Sequence, residues 1–312
     1  MSTSMSMSMS MSTAVQALPH ALGGERIEWQ TPAGRVSAYR SGPGKDSAVR
    51  HPPLVLVHSV NAAGCAFEVL PLYDHYRHTR EVVALDLPGF GFSERSDRAY
   101  TPRLMTDALL AVVGIVRAQH GGGPVDVLGV SLASEFVARA ALEAPDAIRR
   151  IALVSPTGFS GTKRRYGPPG STLGIAWLHR QFSRPLWVNG LYNSLTRPGV
   201  IRYFLERTWG SKKIDEALWR YDVITTRQPG ARYAPLYFLS AFLFSKDINT
   251  VYEALDCPVW VSMATRGDFT DYRGRSTVDQ RANWHFVAIE GGALPYFETP
   301  GLFFAQLDPF WD

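Results

Sequence analysis

Cysteine is nearly missing from this chain of 312 residues: it has two, Cys65 and Cys257, far apart in sequence. Two isolated thiols make neither a zinc signature nor a disulfide framework, and the expectation is two small buried side chains in a reducing compartment. Long apolar runs are missing as well. The most apolar stretch, residues 233–244, is twelve residues long, short of the ~20 needed to span a bilayer. Excess charge of one sign is small, with 32 Lys and Arg against 28 Asp and Glu for a net +4. No long basic run and no nucleic-acid module is present, so no nucleic-acid partner is expected. The opening MSTSMSMSMSMS has no basic start and no apolar core, so it does not read as a secretory signal or an anchor. Residues 1–22 read as a disordered low-complexity tail, and the cytoplasm is the default location.

Hydrophobic residues make up 46% of the chain and charged residues 19%, enough apolar surface for a sizeable core without disulfides. Short apolar runs recur: GRVSAY at 34–39, LVLVH at 54–58, EVVALDLPG at 81–89, VDVLGVS at 125–131, IALVSP at 151–156, PVWVSMA at 258–264 and HFVAIEG at 285–291. Unbroken runs of this kind fit parallel strands covered on both faces. Helical periodicity at 102–119 and in the segment after Ser131 alternates with them, the order of a doubly wound sheet. A closing helix is expected from Phe297 to Phe310, interrupted at Pro300. Residues 160–256 break the rhythm: they hold no convincing buried strand and are rich in aromatics. They carry 14 Lys/Arg against 7 Asp/Glu, a balance of +7. They read as a helical cap, with 23–159 and 257–312 as the core. Within that cap, residues 233–244 are expected to form a helix lining an apolar pocket; contact of the cap with a membrane surface is the lesser reading.

Chemistry concentrates at Gly129-Val130-Ser131-Leu132-Ala133. A serine between a buried strand and a helix, with small residues two positions to either side, has the setting of a nucleophile elbow. The unpaired N–H groups that open the helix would favour an oxyanion beside it.

With this motif the chain resembles the α/β-hydrolase superfamily, in its capped esterase, epoxide-hydrolase and C–C-hydrolase branch. Val57-His58-Ser59-Val60-Asn61 stands where that family has its oxyanion loop. Asp86-Leu87-Pro88-Gly89-Phe90-Gly91-Phe92-Ser93 matches the family's D-x-P-G-x-G-x-S loop. Gly292-Ala293-Leu294-Pro295-Tyr296-Phe297-Glu298 matches its G-H-x-P-x-x-E stretch except at the histidine. The resemblance implies an α/β-hydrolase fold: a mostly parallel central sheet of about eight strands, helices on both faces, and a helical cap insertion. It further implies Ser131 as nucleophile, and oxyanion donors at the N–H of Leu132 and at Ser59 or Val60. His58 would support the loop. The acid would be Asp268, in Ala264-Thr265-Arg266-Gly267-Asp268, with Asp271 as runner-up. No metal or organic cofactor is implied.

The base position is degenerate. Ala293 stands 25 residues after Asp268, and alanine cannot take a proton, which leaves a serine hydroxyl a poor nucleophile. Of the eight histidines, His285 lies in the last strand, on the order of 25 Å along an extended chain from position 293. His179 in the cap is the candidate substitute base. Three explanations stay open: a lineage that lost the histidine and kept the fold, a deliberate replacement, or a base from elsewhere. The functional expectation is a serine-nucleophile hydrolase of a carboxylic ester or related acyl compound with doubtful or reduced activity. The alternative is a non-catalytic protein that binds an apolar or amphipathic small molecule. Serine at the elbow argues against dehalogenase or epoxide-hydrolase chemistry, which needs a carboxylate nucleophile. Oligomeric state is left open.

Overall fold

The computed structural model describes residues 16–43 and 51–312. Most of the expected tail, and the middle of the Gly/Pro-rich loop before residue 54, lie outside the described residues. Eight strands form one sheet: β1 (Glu25–Thr31), β2 (Gly34–Ser41), β3 (Leu54–Val57), β4 (Val82–Asp86), β5 (Val125–Val130), β6 (Ile148–Val154), β7 (Val259–Ala264) and β8 (Trp284–Ile289). Their spatial order is β1-β2-β4-β3-β5-β6-β7-β8. The first two pairings, β1 with β2 and β2 with β4, are antiparallel, and the rest are parallel.

Helices α1 (Leu70–Tyr76), α2 (Pro102–Gln119) and α3 (Ala133–Glu143) connect the first strands. Between β6 and β7 come α4 (Ala176–Phe182), α5 (Val188–Leu195), α6 (Pro198–Trp209), α7 (Glu216–Thr225), α8 (Tyr233–Leu239) and α9 (Ile248–Glu253). The chain closes with α10 (Pro295–Glu298) and α11 (Pro300–Trp311). Helix α2 starts where the sequence dictates: Thr101 caps it, its hydroxyl accepting the Leu104 N–H at 3.2 Å, and Pro102 opens the first turn.

The central strands are mostly apolar because both faces are covered. In β3, Val55 and Val57 point into one core with Val112 of α2 and Phe136 of α3. Leu54 and Leu56 point into the other, with Leu72 of α1 and Leu307 of α11. The alternation that identifies a half-exposed strand is therefore hidden in these runs.

Three expectations need correction. Residues 16–22 are not loose: Ala21 and Leu22 are buried, the Ala21 N–H donates to the Tyr39 hydroxyl at 3.0 Å, and the Tyr221 hydroxyl donates to the Pro19 carbonyl at 2.8 Å. A short segment is thus held by tyrosines that lie far away in sequence. Edge strand β1 was not anticipated; its mixed exposure gives no apolar run. The segment 233–244 is not one helix: α8 stops at Leu239, and Ala241 takes a left-handed φ of 63°.

The helical insertion is tied to the nucleophile helix by one buried carboxylate. Glu135 of α3 accepts the Thr157 hydroxyl at 2.6 Å and the Arg165 guanidinium at 3.1 Å on the outgoing strand of chain. Its second oxygen accepts the Ser245 N–H at 2.7 Å on the returning one. Arg139 of α3 adds a pair with Asp247 at 2.6 Å.

Candidate active site

Ser131 sits between β5 and α3 with φ 53°, a left-handed conformation for a residue with a side chain. Such backbone costs on the order of 1–3 kcal/mol and persists only where its surroundings enforce it. Here the enforcement is local. The Ser131 N–H donates to the Val154 carbonyl at 2.8 Å, and the Ser131 carbonyl accepts the Ser134 N–H at 3.1 Å. A Cβ on Gly129 would lie 2.7 Å from Val137 Cγ2, so the position two before the serine must be bare.

Register places the loop after β3 beside this bend, since Val57 pairs with Gly129. The chain leaves β3 towards β4 on one side and β5 towards β6 on the other, the switch point where open α/β sheets hold ligands. His58 is fully buried. Its Nε2 accepts the Leu87 N–H at 3.0 Å, so the proton is on Nδ1, which donates to the Ser59 carbonyl at 2.6 Å. Both ring nitrogens are thereby used to brace two loops. The D-x-P-G-x-G-x-S loop is bracing too. The Asp86 carboxylate accepts the N–H groups of Ala66 and Phe92, each at 2.9 Å. Gly91 has φ 48°, and a Cβ there would fall 1.9 Å from Asp86 Cγ.

Ser131 opens on a cavity of about 140 Å³, lined also by Val60, Leu132 and Ala293, with Leu205, Thr208, Phe238 and Phe244 from the helical insertion. A cavity of about 510 Å³ adjoins it, sharing Thr157, Phe244 and Phe269. The N–H groups of Val60 and Leu132 are buried and, among the described residues, have no acceptor. Two unbonded donors beside the Ser131 hydroxyl have the arrangement that can hold an oxyanion. Ser59 is different: its N–H donates to the Glu68 carboxylate at 2.7 Å, which corrects the expectation that it could serve as a donor.

Glu68 itself was not anticipated. It lies in a short 3₁₀ turn (Ala66–Val69), lines the Ser131 cavity, and also accepts the Asn61 side-chain amide at 2.8 Å. Nothing local in the sequence marks it, because the turn that aims it follows from the loop braced by Asp86. Nearby, burial pushes the Asp222 carboxyl well above the usual carboxylate range, and the charge of Glu68 adds to the rise.

The opposite wall is built differently. Ala293 is buried beside the cavity, its N–H donating to the Thr208 carbonyl at 2.9 Å and its carbonyl accepting the Ser155 hydroxyl at 2.9 Å. Asp268 follows β7 as expected, yet it is half-exposed and paired with Arg207, Nη2 to Oδ1 2.9 Å. The end of α6 bridges the two loops: the Arg207 carbonyl accepts the Asp268 N–H at 3.2 Å, next to the Thr208 bond to Ala293. Asp271 faces the larger cavity, accepts the Gly161 N–H at 2.8 Å, and is held below the usual carboxylate range by Arg273. His179 does not reach Ser131. Its ring packs on Tyr237 with centroids 4.0 Å apart, it lines a separate groove, and burial lowers its pKa. Among the described residues no histidine lines the Ser131 cavity, and Glu68 is its single carboxylate.

A family model described as alpha/beta hydrolase fold matches residues 52–206, and with the sheet order and elbow on hand the chain belongs to the α/β-hydrolase superfamily. It is similar over its whole fold to a thermophilic esterase from Thermogutta terrifontis, at 17% identity and TM-score 0.66, covering 92% of this chain and 98% of that one. A meta-cleavage product hydrolase from Pseudomonas fluorescens is similar at 13% identity and TM-score 0.68, covering 91% and 97%. Identities this low speak for the fold alone. In sequence, 96 residues are 38% identical to the dihydrolipoyllysine-residue acetyltransferase component of an acetoin cleaving system from Cupriavidus necator. That match spans 30% of this chain and 23% of the relative, under a quarter of its length. Among the described residues no helix is long and apolar enough to cross a membrane.

Proposed function

We propose that this chain is a serine-nucleophile hydrolase of a carboxylic ester or related acyl compound, slowed by the loss of its histidine. The observation that carries the reading is Ser131, left-handed at a strand–helix bend and facing a cavity with two free N–H donors. Ser131 Oγ attacks the carbonyl carbon, and the Leu132 and Val60 N–H groups hold the oxyanion. The alcohol leaves, and water releases the acid from Ser131. In a serine protease, loss of the histidine alone costs on the order of a millionfold in turnover. Glu68 is the titratable group on the cavity wall that remains to receive a proton. Helices α4–α8 act as the cap, and Phe238 of α8 with Phe244 in the turn after it suit an apolar or amphipathic substrate.

A second reading, a ligand-binding protein without turnover, is favoured by Ala293 together with the engagement of Asp268 by Arg207. A fluorophosphonate probe followed by intact mass separates the two. The hydrolase reading expects one adduct, at Ser131, absent in Ser131→Ala. A folded protein that stays unmodified under prolonged exposure sinks it.

A further inference from the structure

Helices α4 and α5 present an unusual face to water. Leu186 is 90% exposed, Trp177 65% and Trp187 44%. Large apolar side chains this exposed and this close in sequence mark a contact surface. The charge of the same region has one sign. Residues 176–205, from the start of α4, contain four Lys and Arg and no Asp or Glu. Further along, Arg202 pairs with Glu216 and Arg207 with Asp268. Arg180, Arg184 and Arg197 meet no carboxylate among the described residues. Cation and apolar group are offered together, since the Arg184 guanidinium lies 5.3 Å over the Trp187 ring. Beside them runs an open groove of about 650 Å³ lined by Arg180, Arg184, Tyr237 and Phe242.

We propose that this α4–α5 face docks on an anionic lipid surface. Trp177, Leu186 and Trp187 enter the interfacial layer, and Arg180 and Arg184 meet lipid phosphates. Tryptophan with basic residues is the composition that binds at such an interface, through apolar burial plus attraction to anionic lipid. A second copy of the chain fits less well. A symmetric contact through this patch would set arginines against arginines with no acid among them. The docking needs no chemistry at Ser131, so it stands or falls apart from the hydrolase reading.

The test is sedimentation of the full chain with vesicles of phosphatidylcholine alone and with about one third phosphatidylglycerol. The mixed vesicles are expected to bind at least about tenfold more protein, with a blue shift in tryptophan emission and weakening in salt. Leu186→Ser with Trp187→Ser, both at exposed positions, is expected to cut binding about tenfold while the melting curve is unchanged. Arg180→Glu with Arg184→Glu is expected to remove the preference for anionic lipid. Arg77→Glu with Arg117→Glu, the same charge change just after α1 and within α2, is expected to leave it intact. If that control loses as much as the α4–α5 variant, net charge alone does the binding and the proposal fails. It fails equally if no vesicle binds, or if Leu186→Ser dissolves a dimer in sedimentation velocity and binds lipid as before.

Discussion

The two walls of the Ser131 cavity differ in what they are made of. On one side stand the unbonded backbone N–H groups of Val60 and Leu132, in loops folded by the buried polar residues His58, Asp86 and Glu68. On the other side Ala293 offers only a methyl group, its backbone N–H and carbonyl both bonded. Donors that belong to the backbone cannot be lost without disturbing the fold. A side chain that only moves a proton can be, because nothing in the packing depends on it.

The largest effect expected is on the first wall. Gly91→Ala sets a methyl against the Asp86 carboxylate in a left-handed backbone, and should lower stability by about 3 kcal/mol. Urea unfolding measures it, and a change under about 1 kcal/mol would mean that the loop is not the rigid brace described. Next comes repair of the other wall. Ala293→His should raise ester hydrolysis about a hundredfold, at the low end for an added general base, because Asp268 is engaged by Arg207. Arg207→Ala in that background should release the carboxylate and add about tenfold more. Steady-state rates on a nitrophenyl ester decide both, and no gain from either would favour the ligand-binding reading.

The smallest effect concerns Asp222, behind Glu68. Its folded pKa is raised by burial, so between the unfolded value near ~4 and the folded one the unfolded chain sheds a proton that the folded chain keeps. Rising pH through that window therefore lowers stability, by at most ~1.4 kcal/mol per pH unit. Asp222→Asn removes the dependence, and its Tm should fall less than that of the parent between about pH 5 and about pH 6. Parallel curves would show that the carboxyl is not protonated in the folded protein.

Much of this was legible beforehand. The apolar runs marked β3 to β8, although only the inner strands are covered on both faces and the edge strand β8 leaves His285 and Ala288 exposed. The elbow and the D-x-P-G-x-G-x-S loop were readable because their glycines answer to fixed backbone demands. Illegible were β1, whose half-exposed residues leave a weak pattern, and the segment 16–22, held by Tyr39 and Tyr221. The break at Ala241 was hidden too, since no glycine or proline announces it. Glu135 and Glu68 look like any surface acid in the sequence, yet both are buried.

By itself the sequence determined the order of β2 to β8, the serine at the bend and the alanine at 293, since each rests on residues adjacent in the chain. Only the tertiary structure decided that Ser59 is taken by Glu68, that Asp268 is held by Arg207, and that His179 faces another groove. Each of those depends on which distant groups meet when the sheet closes, and a side chain's partner is fixed by position in space rather than by its neighbours in sequence.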